Sequence, residues 1–115
     1  MTPEIDLTEV QREVLRSVLR RYADRVDRVG VYGSRARGTA RRGSDIDIVL
    51  HGSVDADTVA RIRADLEDSN LSIFADVTAL DSVTHPGLLA EIEQFARPLF
   101  DHAELIDGSG RRRSK

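Results

Sequence analysis

The sequence predicts a small α/β layer protein built as one domain. Three features point there: apolar stripes at helical spacing alternate with short apolar runs, several of those runs stop at glycine, and 115 residues suffice for one hydrophobic core but not for two ordinary domains.

The elements follow in order. In "DLTEVQREVLRSVLRRY", from Asp6 to Tyr22, Val10, Val14, Leu15, Val18, Leu19 and Tyr22 form one helical stripe, and Asp6 with Glu9 has the spacing of a capping box. "RVGVYG" is a β-branched run ended by Gly33, a strand stopping at a tight turn, and "SRARGTA" opens a short helix after it. "DIDIVLH", Asp45 to His51, alternates charged and apolar residues before becoming apolar, as a strand does with one face on the core; Gly52 ends it. Val59, Ile62 and Leu66 mark a second long helix, with Asp55 and Asp57 at its start and Ser69-Asn70 at its end. "LSIFADVTAL" is a third strand with Asp76 in its middle. Pro86 suits a first helical turn, and Leu88, Leu89, Ile92 and Phe95 make a stripe that stops before Pro98, after which "PLFD" reads as a short edge strand. Gly108 to Lys115, "GSGRRRSK", has nothing to bury and is expected to stay disordered and solvated, which leaves residues 1–107 as the domain.

Composition narrows the function. A chain 40% hydrophobic and 32% charged, with a net charge of -3, has no general electrostatic reason to bind nucleic acid. The absence of cysteine excludes disulfides and thiolate metal sites, so any metal is held by oxygen or imidazole. No apolar stretch is long enough for a bilayer, and Met1 to Val10 lacks the pattern of a secretion signal, so a cytoplasmic protein without membrane attachment is expected.

One stretch departs from ordinary strand composition. Strand alternation puts Asp45 and Asp47 on one side and Ile46, Ile48 and Leu50 on the other, so two like charges share a face. Such a pair calls for a compensating cation, and hard oxygen donors at this spacing suit one or two Mg²⁺ ions. Asp76 would join them if the second and third strands are neighbours. Upstream, Gly33 and Ser34 occupy a strand-to-helix turn, a place for phosphate, with Arg35 or Arg37 supplying positive charge and Arg35 preferred because it abuts the turn. A nucleoside triphosphate fits both halves, its tail on the turn and its metals on the carboxylates; Asp76 is also placed to take the proton of an attacking hydroxyl. Singly, Gly33-Ser34 is an ordinary capped turn and Asp45 with Asp47 a solvent-facing strand start; their combination with Asp76 is what specifies a site. His51 lies at a strand end and reads as structural or solvent-facing, and Tyr22 and Tyr32 as core or boundary residues.

These residues carry a resemblance. Gly33-Ser34, ten residues from Arg35 to Ser44, then Asp45-Ile46-Asp47 resembles the signature of the DNA polymerase β nucleotidyltransferase superfamily, and "GSRARGTARRGSDIDIVL" is similar to its minimal form, the MNT domain, over about Leu7 to Phe100. The resemblance implies a nucleotidyltransferase fold of α/β (α+β) type, a small mixed β-sheet flanked by helices. It implies Mg²⁺ ligands at Asp45 and Asp47 with a third carboxylate matched by Asp76, and a nucleotide site at Gly33, Ser34, Arg35 and Ser44. It further implies ATP as substrate and a HEPN-family toxin as a separate partner protein, whose tyrosine receives AMP. Two other readings stand beside it: a binding module that neutralises such a toxin by occlusion, and a nucleotidyltransferase for small molecules assembled by dimerisation.

Overall fold

The computed structural model describes residues 5–41 and 43–106. Helix α1 (Glu9–Leu19) runs through a 3₁₀ turn into strand β1 (Val26–Tyr32); then follow α2 (Ser34–Arg37), β2 (Ile46–Gly52), α3 (Ala56–Glu67), β3 (Ala75–Ala79), α4 (Pro86–Phe95), β4 (Arg97–Phe100) and α5 (His102–Ile106). The strands form a mixed sheet in the order β3-β2-β1-β4, with β1 antiparallel to β2 and β4, and β2 parallel to β3. The α/β layer expectation and the element order therefore hold, with "PLFD" at a sheet edge as predicted.

Strand periodicity sorts side chains into two faces. Ile46, Ile48 and Leu50 of β2, Val29 and Val31 of β1, and Val77 and Ala79 of β3 are buried with Leu15, Val18 and Leu19 of α1 and Ile62 and Leu66 of α3 in the main core. The opposite face is thinly covered: a second cluster of Tyr32, Val49 and Ile92 fastens α4 across it, with Leu88 and Ala96 packed alongside. One helix over a four-stranded sheet leaves open ground on either side, and that is where the chemistry-bearing residues emerge.

Three local details differ from expectation. Thr8, not Asp6, caps α1: its hydroxyl accepts from Gln11 N–H while the Gln11 side chain accepts from Thr8 N–H, a capping box one residue pair further on. β3 is shorter than "LSIFADVTAL", because only its second half pairs with β2; Phe74, just before it, is 54% exposed. A further helix, α5, follows β4, started by Asp101, whose carboxylate accepts from Glu104 N–H at 2.8 Å while Glu104 Oε1 accepts from Asp101 N–H at 2.9 Å, and held by fully buried Leu105. The basic tail lies outside the described residues. Among the described residues no helix is long and apolar enough to cross a membrane.

Candidate functional site

β1 ends at Tyr32, and the register sets Tyr32 opposite Asp47 and Asp47 opposite Asp76, a row of three residues across adjacent strands on the thinly covered face. The row floors an open cleft of about 610 Å³, walled by Gly33, Ser34 and Arg37 on one side, Thr78 of β3, and Gly87, Leu88 and Glu91 of α4.

The turn is made by Gly33 for two separate reasons. Its φ of +75° is a conformation side chains resist, and a Cβ there would lie 2.3 Å from Asp47 Oδ2. The glycine thus lets the chain turn and makes room for the carboxylate. Ser34 starts α2 and lines the cleft next to it.

Asp47 is half-buried, and its carboxyl pKa is pushed above the usual 3.8, first by burial and then by the negative charges of Asp76, Asp45 and Glu91; Arg37 opposes the rise. Asp45 stands just ahead of β2, exposed and outside the cleft lining, though its charge reaches Asp47. Asp76 is on the cleft floor with its side chain half-exposed, and Arg63 of α3 approaches its Oδ1 at 3.6 Å while donating to Val77 O at 2.8 Å. Among the described residues no three acidic or imidazole side chains are drawn together tightly enough to form a ready cation site. The donor set nonetheless suits a hard divalent ion: the neighbouring carboxylates that raise the proton affinity of Asp47 are relieved of its repulsion when a cation sits between them.

The arginines divide their labour differently from the sequence expectation. Arg35 is buried, and its guanidinium donates to Ser44 O at 2.8 and 3.1 Å and to Asp6 O at 2.7 Å. Ser44 is spent in the same way, its hydroxyl accepting from Arg41 N–H at 2.9 Å. Neither lines the cleft; together they pin the loop that leads into Asp45. The cation that does line it is Arg37, ion-paired with Glu91 at 3.4 Å and stacked over Phe95 at 5.2 Å. Adjacency to the turn favoured Arg35, but α2 carries that side chain into the core with Ala36 and leaves Arg37 outside.

Tyr32, Thr78 and Glu91 are cleft residues that the sequence reading did not assign. Thr78 was within reach, two residues after Asp76 and so on the same strand face. The Tyr32 hydroxyl sits 3.4 Å from Thr78 Oγ1, and burial holds its pKa above the usual value. His85 caps α4, Nδ1 accepting from Gly87 and Leu88 N–H, and His51 lies outside the cleft.

Comparison with known proteins gives a consistent picture. The family model described as a nucleotidyltransferase domain matches residues 11–100. Among solved structures, one described as a candidate minimal nucleotidyltransferase is 30% identical, with a TM-score of 0.59 over 77% of this chain and 89% of that one. A toxin-antitoxin structure with AMP-PNP is 20% identical with a TM-score of 0.65, covering 84% of this chain and 80% of that chain. A complex of a tri-AMPylated HEPN toxin from Shewanella oneidensis with its MNT antitoxin is 16% identical with a TM-score of 0.63, over 90% and 83%. These last two likenesses establish the fold. No curated protein matches.

Proposed function

The chain belongs to the nucleotidyltransferase domain family, and on that premise we propose that it transfers AMP from ATP to a hydroxyl, a tyrosine, of a cognate HEPN-family toxin and so acts as its antitoxin. The observation that carries the reading is the Asp47–Asp76 pair, set in register on the floor of a cleft that opens at the Gly33-Ser34 turn. The likeness to complexes of MNT antitoxins, one with an AMPylated toxin, supports the choice of partner and of nucleotide.

In this mechanism the triphosphate lies along Gly33 and Ser34, with Arg37 turning from Glu91 toward its charge. Asp47 and Asp76, with Asp45 just ahead of β2, would hold Mg²⁺, which when bound neutralises charge on the reacting phosphorus. The acceptor oxygen attacks the α-phosphorus as its proton passes to Asp76; the new P–O bond forms as the bond to the β-phosphate breaks, and pyrophosphate leaves. Arg35 and Ser44 serve this indirectly by fixing the loop before Asp45.

The test is incubation with α-labelled ATP, Mg²⁺ and the HEPN-type product of the adjacent gene. Label on that protein, lost in an Asp45→Asn, Asp47→Asn double variant, is the expected result. Inhibition of the toxin without label would replace transfer with occlusion, and label on added small molecules with no protein acceptor would replace the partner.

A further inference from the structure

β3 ends the sheet, so among the described residues no strand pairs with its outer side, and Val77 O points that way, where it accepts from Arg63. Such an edge is a template for a further strand. Two small apolar cavities flank it on the α3 side. One, of about 270 Å³, is lined chiefly by Ala56, Val59 and Ala60 of α3 with Val77 and Ala79 of β3. The other, of about 200 Å³, is lined chiefly by Leu66, Leu71, Ile73, Ala75 and the exposed Phe74. Both are smaller than the roughly 300–1,000 Å³ of a small-molecule site, and each suits one apolar side chain.

Their placement along β3 brackets the candidate base. One cavity reaches Ala75 and the other starts at Val77, so Asp76 lies between them, on the opposite face of the sheet. Thr78 lines both the larger cavity and the cleft, which makes the two continuous around the edge. A strand laid along β3 would send alternate side chains to opposite faces: two residues about 7 Å apart reach the two cavities, and the one between them turns to the cleft beside Asp76. That is also the end of the Tyr32–Asp47–Asp76 row farthest from the Gly33-Ser34 turn, and in-line attack needs the acceptor on the side away from the departing pyrophosphate.

Building on the proposed transfer to a protein hydroxyl, we propose that the β3 edge takes up an extended segment of the acceptor protein as an added strand. Apolar residues on either side of the hydroxyl-bearing residue fill the two cavities, and the hydroxyl between them is presented to Asp76. Backbone pairing supplies affinity and the cavities supply the choice of segment. Arg63 occupies the track beforehand, bonded to Val77 O at 2.8 Å and 3.6 Å from Asp76 Oδ1. Its side chain is 52% exposed, so it swings into water as the incoming backbone takes over the carbonyl, and until then it guards the edge against unrelated strands.

The assay is initial-rate transfer from α-labelled ATP with Mg²⁺ to the product of the adjacent gene. Ala60→Trp, at an exposed position of α3, fills the larger cavity and should raise KM for that protein about tenfold, with kcat and KM for ATP within about twofold of wild type. Phe74→Ser, at the smaller cavity, should raise the same KM about threefold. A benzophenone side chain placed at position 60 should crosslink to the acceptor within two residues of the labelled one. Unchanged KM for the acceptor in Ala60→Trp, a crosslink elsewhere, or charged residues on both sides of the labelled one would overturn the track while leaving transfer intact. Absence of label with the wild type would remove the transfer reading, and the track with it, before any variant is compared.

Discussion

Replacing Asp47 with asparagine should make the metal-free protein more stable at neutral pH. The carboxylate sits opposite Asp76 on the parallel neighbour strand, and its pKa is raised by burial and by Asp76, Asp45 and Glu91 in turn. A raised carboxyl pKa means the folded protein holds the proton more readily than the unfolded chain, so stability falls as pH climbs from the unfolded value near 3.8 through the folded one. The loss therefore lies on the alkaline side of the unfolded value. Two unit charges about 5 Å apart, the spacing of neighbouring strands, repel by about 3 kcal/mol at an effective dielectric of 20 and about 1 kcal/mol in water. The Asp76 side chain is 49% exposed, which places the gain at the lower figure, about 1 kcal/mol. In a domain of this size that is a rise in Tm of roughly 4 °C. Scanning calorimetry in EDTA at pH 7 measures it. The same scan near pH 3, where the wild-type carboxyl is protonated, should show the two proteins melting together, and added Mg²⁺ should raise the wild type more than the variant. A variant that melts at or below wild type at pH 7, or whose advantage survives at pH 3, would refute the repulsion.

Gly33→Ala should lose about 2–3 kcal/mol in urea unfolding, since it combines a positive φ with a methyl 2.3 Å from Asp47 Oδ2. Arg35→Met should cost a similar amount by stranding the carbonyls of Asp6 and Ser44, with nucleotide affinity of the folded protein unchanged. Arg37→Met should do the reverse, costing about 0.5 kcal/mol of stability but weakening ATP binding about tenfold by calorimetric titration. Arg63→Gln, which removes the cation 3.6 Å from Asp76, should tighten Mn²⁺ binding severalfold in an electron-paramagnetic-resonance titration; unchanged affinity would place that guanidinium outside the field of the site.

Much of the fold was legible because periodicity and punctuation agree with packing. Leu15, Val18 and Leu19 could be picked out by helical spacing, and Ile46, Ile48 and Leu50 by alternation, since those patterns are what the core requires. The candidate site was legible where it depends on backbone register: Asp47 and Asp76 each lie second in their strand, on the face opposite a run of buried apolar residues. It was not legible where a side chain's direction is decided by rotation about a four-residue helix. Nothing in "SRAR" distinguishes the arginine that turns inward to two carbonyls from the one that turns out to Glu91. Nor does sequence spacing show that α3 reaches round the β3 edge to bring Arg63 to Asp76, or that Asp101 and Glu104 close a capping box for a helix only five residues long.

The register that makes the site is enforced from the far side of the sheet. Shifting β3 by one residue against β2 would turn Asp76 and Thr78 into the core and push Val77 and Ala79 onto the cleft. Val77 is fully buried, and exposing it would forfeit about 2 kcal/mol before the cost of an inward carboxylate is counted. The repulsion between Asp47 and Asp76, about 1 kcal/mol on the reasoning above, is smaller than that penalty. Apolar packing on one face can therefore hold two carboxylates side by side on the other without a cation, and the strain between them remains for a bound ion to release.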